Sequence, residues 1–184
     1  MKTKLIFALI ISLFFVTSCS SNSHKDHHDN HGMGHHSDMI YEGSSEVPAN
    51  LKIAENPKYP VGTKAISVAD HMGGMMDKVV VTIVGAYETT AYGTTYVATT
   101  TGEEIKDHKW IVHEEFVNIG EEILQPGTKV ATIAEHMKGM KGAIQTIEFS
   151  VTTTVYMVNF TATNGKKVTN HKWVTEEELE PLKD

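Results

Sequence analysis

Between Lys64 and Leu179, apolar and polar residues alternate with a period of two in short runs, the spacing of half-buried strands and not of helices. The first run sets Ala65 and Ser67 against Ile66 and Val68, and it has a counterpart in Val130 and Thr132 against Ala131 and Ile133. A second pair of strands is predicted over 79–84 and 144–151, and a third over 94–100 and 156–163. Thr101-Gly102 and Asn164-Gly165 then mark hairpin turns. A last short strand, over 108–112 or 171–174, runs into an acidic turn, Glu114-Glu115-Phe116 or Glu176-Glu177-Glu178-Leu179.

The pairing of these elements reflects a duplication. Gly62-Thr-Lys, Asp70-His-Met-Gly-Gly-Met75 and His108-Lys-Trp110 recur as Gly127-Thr-Lys, Glu135-His-Met-Lys-Gly-Met140 and His171-Lys-Trp173. The histidines His71 and His136 are 65 residues apart and the tryptophans 63, which implies one two-residue indel, placed near Ala91 to Thr95. A repeat of this kind makes the repeat itself the expected folding unit. Four or five short strands in each copy, with frequent turn signals, predict an all-β protein of two tandem small barrels, SH3-like first and OB-like as the alternative, over 56–120 and 121–184. A domain that small buries only about 60% of its unfolded surface, so the two copies are expected to lean on each other.

The remaining sequence supplies an address. Lys2 and Lys4 precede an apolar run from Leu5 to Val16, short of the roughly 20 residues a membrane-spanning helix needs, and Val16-Thr17-Ser18 lead into Cys19. This reads as a lipoprotein signal peptide over 1–18, with Cys19 as the lipidation site and the mature chain held at the extracytoplasmic face of the cell membrane. Cys19 is the single cysteine, so disulfides within the chain and thiolate clusters are excluded. The formal charge is −7 without one arginine, a balance that excludes nucleic-acid partners and suits cations. Residues 19–55 read as a polar, disordered tether carrying His24, His27, His28, His31, Met33, His35 and His36. Imidazole, carboxylate and thioether together make it an accessory metal-binding segment for copper or for Zn and Cu(II).

Within the repeats, His71, Met72, Met75 and Met76, with His136, Met137 and Met140, form the candidate metal loops. Thioether sulfur selects Cu(I) and imidazole accepts it. Packing competes as an explanation, because methionine also fills irregular core gaps. Met76 is the weakest candidate, since Lys141 stands in its place in the second copy. His108 and His171 are further candidate ligands. Trp110 and Trp173 suit either a core position or a cation–π cap on Cu(I). No nucleophile elbow, free thiol or phosphate loop is present, so no enzymatic activity is expected.

The leader, the His/Met-rich tether and the duplicated His-Met-x-Gly-Met and His-Lys-Trp motifs resemble the YdhK-type, CopL-like copper-tolerance lipoproteins of Gram-positive bacteria. That resemblance implies a membrane-anchored protein that sequesters Cu(I) without catalysis, with His71 to Met75 and His136 to Met140 as the family's segments. Two rivals stand beside it. One is an SH3-like surface module binding cell wall or peptide through a groove of Tyr87, Tyr92 and Tyr96. The other is a metallochaperone delivering copper to a membrane partner such as an exporter.

Overall fold

A computed structural model describes residues 40–182. Cys19, the expected signal peptide and the tether histidines lie outside the described residues. The chain is all-β: β1 Lys52–Ile53, β2 Lys64–Ser67, β3 Val80–Val97, β4 Glu104–Val112, β5 Lys129–Ala131, β6 Ile144–Thr161, β7 Lys167–Thr175 and β8 Leu179–Pro181. Among the described residues, helix is limited to single 3-10 turns at Met72–Gly74, His113–Glu115 and Glu176–Glu178.

The second and third predicted strands of each copy are one continuous strand of 18 residues. Nothing in Val84 to Gly93 breaks extended backbone, and its Thr, Tyr and Val content favours it. β3 and β6 pair antiparallel along their whole length, from Val81↔Phe160 through Thr89↔Thr153 to Tyr96↔Gln145. Thr89 and Thr153 are counterparts in the duplication, so the repeats are related by an approximate two-fold axis through this pair. The indel is corrected by the same register. Lys64 pairs with Thr82 and Lys129 with Thr146, whereas Val97 pairs with Glu104 and Thr161 with Lys167. Two single-residue differences therefore separate the copies, one in the His-Met loop and one in the hairpin, and none near Ala91 to Thr95.

The strands make one eight-stranded antiparallel sheet in the order β5-β6-β3-β2-β8, with β1 and β4 on β3 and β7 on β6. Neither core belongs to one repeat. The first joins Ala65, Met76, Val81 and Ile83 of copy one to Tyr156, Val158, Val174 and Leu179 of copy two. The second joins Tyr92, Tyr96, Ile105 and Ile111 of copy one to Val130, Met140 and Ile147 of copy two. Between them lie Trp110 and Trp173 with Leu51, Ala91, Val112, Val155 and Met157. A boundary at 120/121 thus divides the sequence but not the packing.

Bulges let one strand face two cores. Where the β3/β6 register shifts, β3 carries one extra residue between Ile83 and Gly85 and β6 carries one between Ile147 and Phe149, and a single extra residue moves the inward face of its strand to the other parity. Val81 and Ile83 point into the first core, Tyr92 and Tyr96 into the second. Part of residues 40–55, expected in the tether, is held against the sheet from Tyr41 onward. Gly43 N–H donates to Thr169 O, Thr169 N–H to Tyr41 O, and Leu51 is buried.

Candidate metal centre

His108 and His171 each sit between two register irregularities, where β4 and β7 carry an extra residue relative to β3 and β6. Bulges of this kind re-aim a side chain. The neighbouring Asp107 and Asn170 have positive φ, and the Lys109–Trp110 and Lys172–Trp173 peptides are cis in both copies. His71 and His136 stand just after the first strand of each copy, at the start of the His-Met loop.

The fold brings the four histidines together across the repeats. The His71 and His171 rings lie 5.9 Å apart, and those of His108 and His136 lie 6.1 Å apart. Each pair takes one ring from each repeat. Burial, reinforced by the nearby His71, His136 and His108, holds the His171 imidazole well below its ordinary pKa, so it is neutral. Four ring nitrogens of this group, both of His71, His136 Nδ1 and His171 Nε2, are sealed from solvent without a hydrogen-bond partner. A buried polar atom left unpaired costs about 1–3 kcal/mol, so such a cluster calls for an explanation.

Two glutamates, one from each acidic turn, complete the arrangement. Glu115 accepts from His136 Nε2 at 2.7 Å, from Trp173 Nε1 at 3.0 Å and from Val112 N at 3.1 Å. Glu178 lies 3.5 Å from His71 Nε2 and accepts from Trp110 Nε1 at 2.8 Å and Thr175 N at 2.9 Å. Burial pushes both carboxyl groups up, but the histidine, the backbone N–H and the indole together outweigh it and hold each below the usual carboxylate value. The signal for them was available: each follows its tryptophan by five residues in both copies. The tryptophans are accordingly buried spacers whose N–H groups are spent on carboxylates.

The methionines divide. Met75, Met76 and Met140 are enclosed in the two cores, and Met75 Sδ accepts from Asn164 Nδ2 at 3.2 Å. Met72 and Met137 are half-buried at the edges of those cores, next in sequence to His71 and His136. Tyr92 and Tyr96 are buried and Tyr87 packs edge-on against Trp173, so these tyrosines line no groove.

Among the described residues, no three His, Cys, Asp or Glu side chains already enclose a metal position. The spacing of the rings is nevertheless suitable. A metal about 2.0–2.1 Å from an imidazole nitrogen lies roughly 3 Å from the ring centre, so two rings sharing an ion have centres up to about 6 Å apart. A cavity of about 250 Å³ lined by Glu115, His136 and His171, with Gly43, Glu46 and Val47 of the N-terminal arm, opens onto the group.

The chain matches the family described as protein of unknown function (DUF1541) over residues 61–113 and 126–176, once in each repeat. It is similar to the uncharacterized protein YdhK of Bacillus subtilis (strain 168), at 46% identity over 176 residues, covering 93% of this chain and 85% of that protein. The crystal structure of this Bacillus subtilis DUF1541 protein has a TM-score of 0.75 at 47% identity, over 80% of this chain and 100% of the other. The solution NMR structure of the YdhK C-terminal domain has a TM-score of 0.62 at 48% identity, over 66% of this chain and 92% of that one.

Proposed function

The chain belongs to the YdhK-like DUF1541 family, with one match in each repeat, and from the histidines that the two repeats share we propose that it sequesters copper at the cell surface. His71, His108, His136 and His171 supply the imidazoles, and Met72 and Met137 supply the thioethers that remain outside the cores. Imidazole binds copper in either oxidation state, and thioether shifts preference toward Cu(I). The leader and the tether support lipid anchoring through Cys19, with His24 to His36 as a second, less selective store.

The observation that carries this reading is the set of buried, unpartnered imidazole nitrogens in one group. A folded protein gains nothing from leaving such atoms unpaired, whereas a metal would satisfy several of them together. Sequestration and delivery to a partner use the same site. Deleting the protein lowers copper tolerance in the first case and starves a copper enzyme in the second.

The test is anaerobic Cu(I) titration of the chain from Ile40 against a chromophoric chelator, with Zn²⁺ as competitor. His71→Asn/His136→Asn/His171→Asn is expected to abolish tight binding while circular dichroism stays native. Met72→Leu/Met137→Leu is expected to weaken Cu(I) more than Zn²⁺. Full affinity in the triple histidine variant removes the cluster from the reading.

A further inference from the structure

Each carboxylate of the cluster is committed before it meets its histidine. Glu115 Oε2 takes the N–H of Val112 in its own turn and the indole N–H of Trp173 from the other repeat, at 3.1 and 3.0 Å. Oε1 alone is left, and His136 Nε2 lies 2.7 Å from it. Glu178 repeats the pattern, with Oε2 taking Thr175 N, Thr175 Oγ1 and Trp110 Nε1, and Oε1 turned to His71 Nε2. With Oε2 of each acid already taking two or three donated hydrogens, the carboxylates are the acceptors of the cluster. An ionised carboxylate facing Nε2 requires a proton on that nitrogen. When the ring is neutral, its lone pair is then on Nδ1, which is buried and unpartnered in both residues; His136 Nε2 is 2.7 Å from its carboxylate, and His71 Nε2 stands farther off at 3.5 Å.

We infer that Glu115 and Glu178 are positioning residues that fix His136 and His71 as Nε2–H tautomers and so make Nδ1 of each the metal-binding atom. The inference rests on the copper reading for the identity of the ion, but the tautomer is a property of the free protein. Each glutamate belongs to the repeat opposite the histidine it holds, so neither repeat can prepare its own ligand. Metal-ligating histidines commonly have such an outer carboxylate, which orients the ring and raises its basicity.

The experiment is long-range ¹H–¹⁵N correlation NMR of the histidine-labelled chain, first free and then with Cu(I) added anaerobically. The expected result is Nε2–H signatures for His71 and His136 in the free chain, followed by Cu(I)-induced shifts at their Nδ1. Glu115→Gln and Glu178→Gln are each expected to disturb the tautomer of the facing histidine and weaken Cu(I) about 10–100-fold, with the methyl spectrum of both cores unchanged. An Nδ1–H tautomer in the free chain, or shifts at Nε2, overturns the inference and leaves copper binding standing. Nε2–H tautomers with no response to Cu(I) defeat the copper reading, and with it the ligand role of Nδ1.

Discussion

Met76 and Met140 are enclosed among aliphatic and aromatic side chains, where a thioether contributes volume and polarizability. Leucine keeps both volume and apolarity, so Met76→Leu and Met140→Leu should each cost less than about 1.5 kcal/mol and leave Cu(I) affinity intact. Alanine at either position should cost about 2–5 kcal/mol. Urea titration beside the chelator assay separates the two effects. Tyr156 carries a different dependence. Burial, and secondarily Glu176, raises its phenol above the ordinary value of 10.0, and burial also raises Tyr92. A group with a raised folded pKa lends stability that is complete below its unfolded pKa and is lost as pH climbs toward the folded one. Stability should therefore hold to about pH 10 and fall above it. Tyr156→Phe should flatten that decline, and equilibrium unfolding between pH 8 and 12 reads it directly.

The N-terminal arm illustrates how a short element is held. It lies parallel to β7 at Glu42↔Thr169, and Asn170 Nδ2 donates to Gly43 O. A Cβ on Gly43 would come within 2.6 Å of the Asn170 carbonyl oxygen, which belongs to the backbone and cannot swing aside. Gly43→Ala should lift the arm from β7, at a cost within the usual 0.5–3 kcal/mol of a point substitution. Hydrogen exchange should quicken at Gly43 and Thr169 and stay slow along β3 and β6; unchanged protection at Thr169 would mean the arm adapts. Local patterning located the strands and the hairpins at Gly102 and Gly165 correctly, because those depend on neighbours in sequence. It divided β3 and β6 in two because a small barrel needs short strands. The bulges that keep a long strand amphipathic are written in contacts with its partner.

Each core combines the first half of one repeat with the second half of the other, which makes the folded protein indivisible at the duplication boundary. Residues 40–120 and 121–184, produced separately, should each lack a cooperative monomeric fold. Mixed, they should regain the near-ultraviolet signal of Trp110 and Trp173. A single fragment that is monomeric and unfolds cooperatively would contradict the shared cores. The exchange also explains why the histidine rings pair as His71 with His171 and His108 with His136, one from each repeat.

Period-two alternation, turn chemistry and duplication are local signals, and they were enough for an all-β fold, for the repeats and for all four candidate histidines. Partnership across the repeats was hidden from them. Which half-repeat packs on which, whether a methionine sulfur faces a core or a ligand, and which of several adjacent glutamates turns inward all depend on residues distant in sequence, 21 positions for Glu115 and His136 and 68 for Glu178 and Trp110. Glu114 and Glu115 are neighbours of one charge and one size. Only the second meets a histidine and an indole brought by the other repeat, because burial and hydrogen-bond geometry exist only after the long strands have paired.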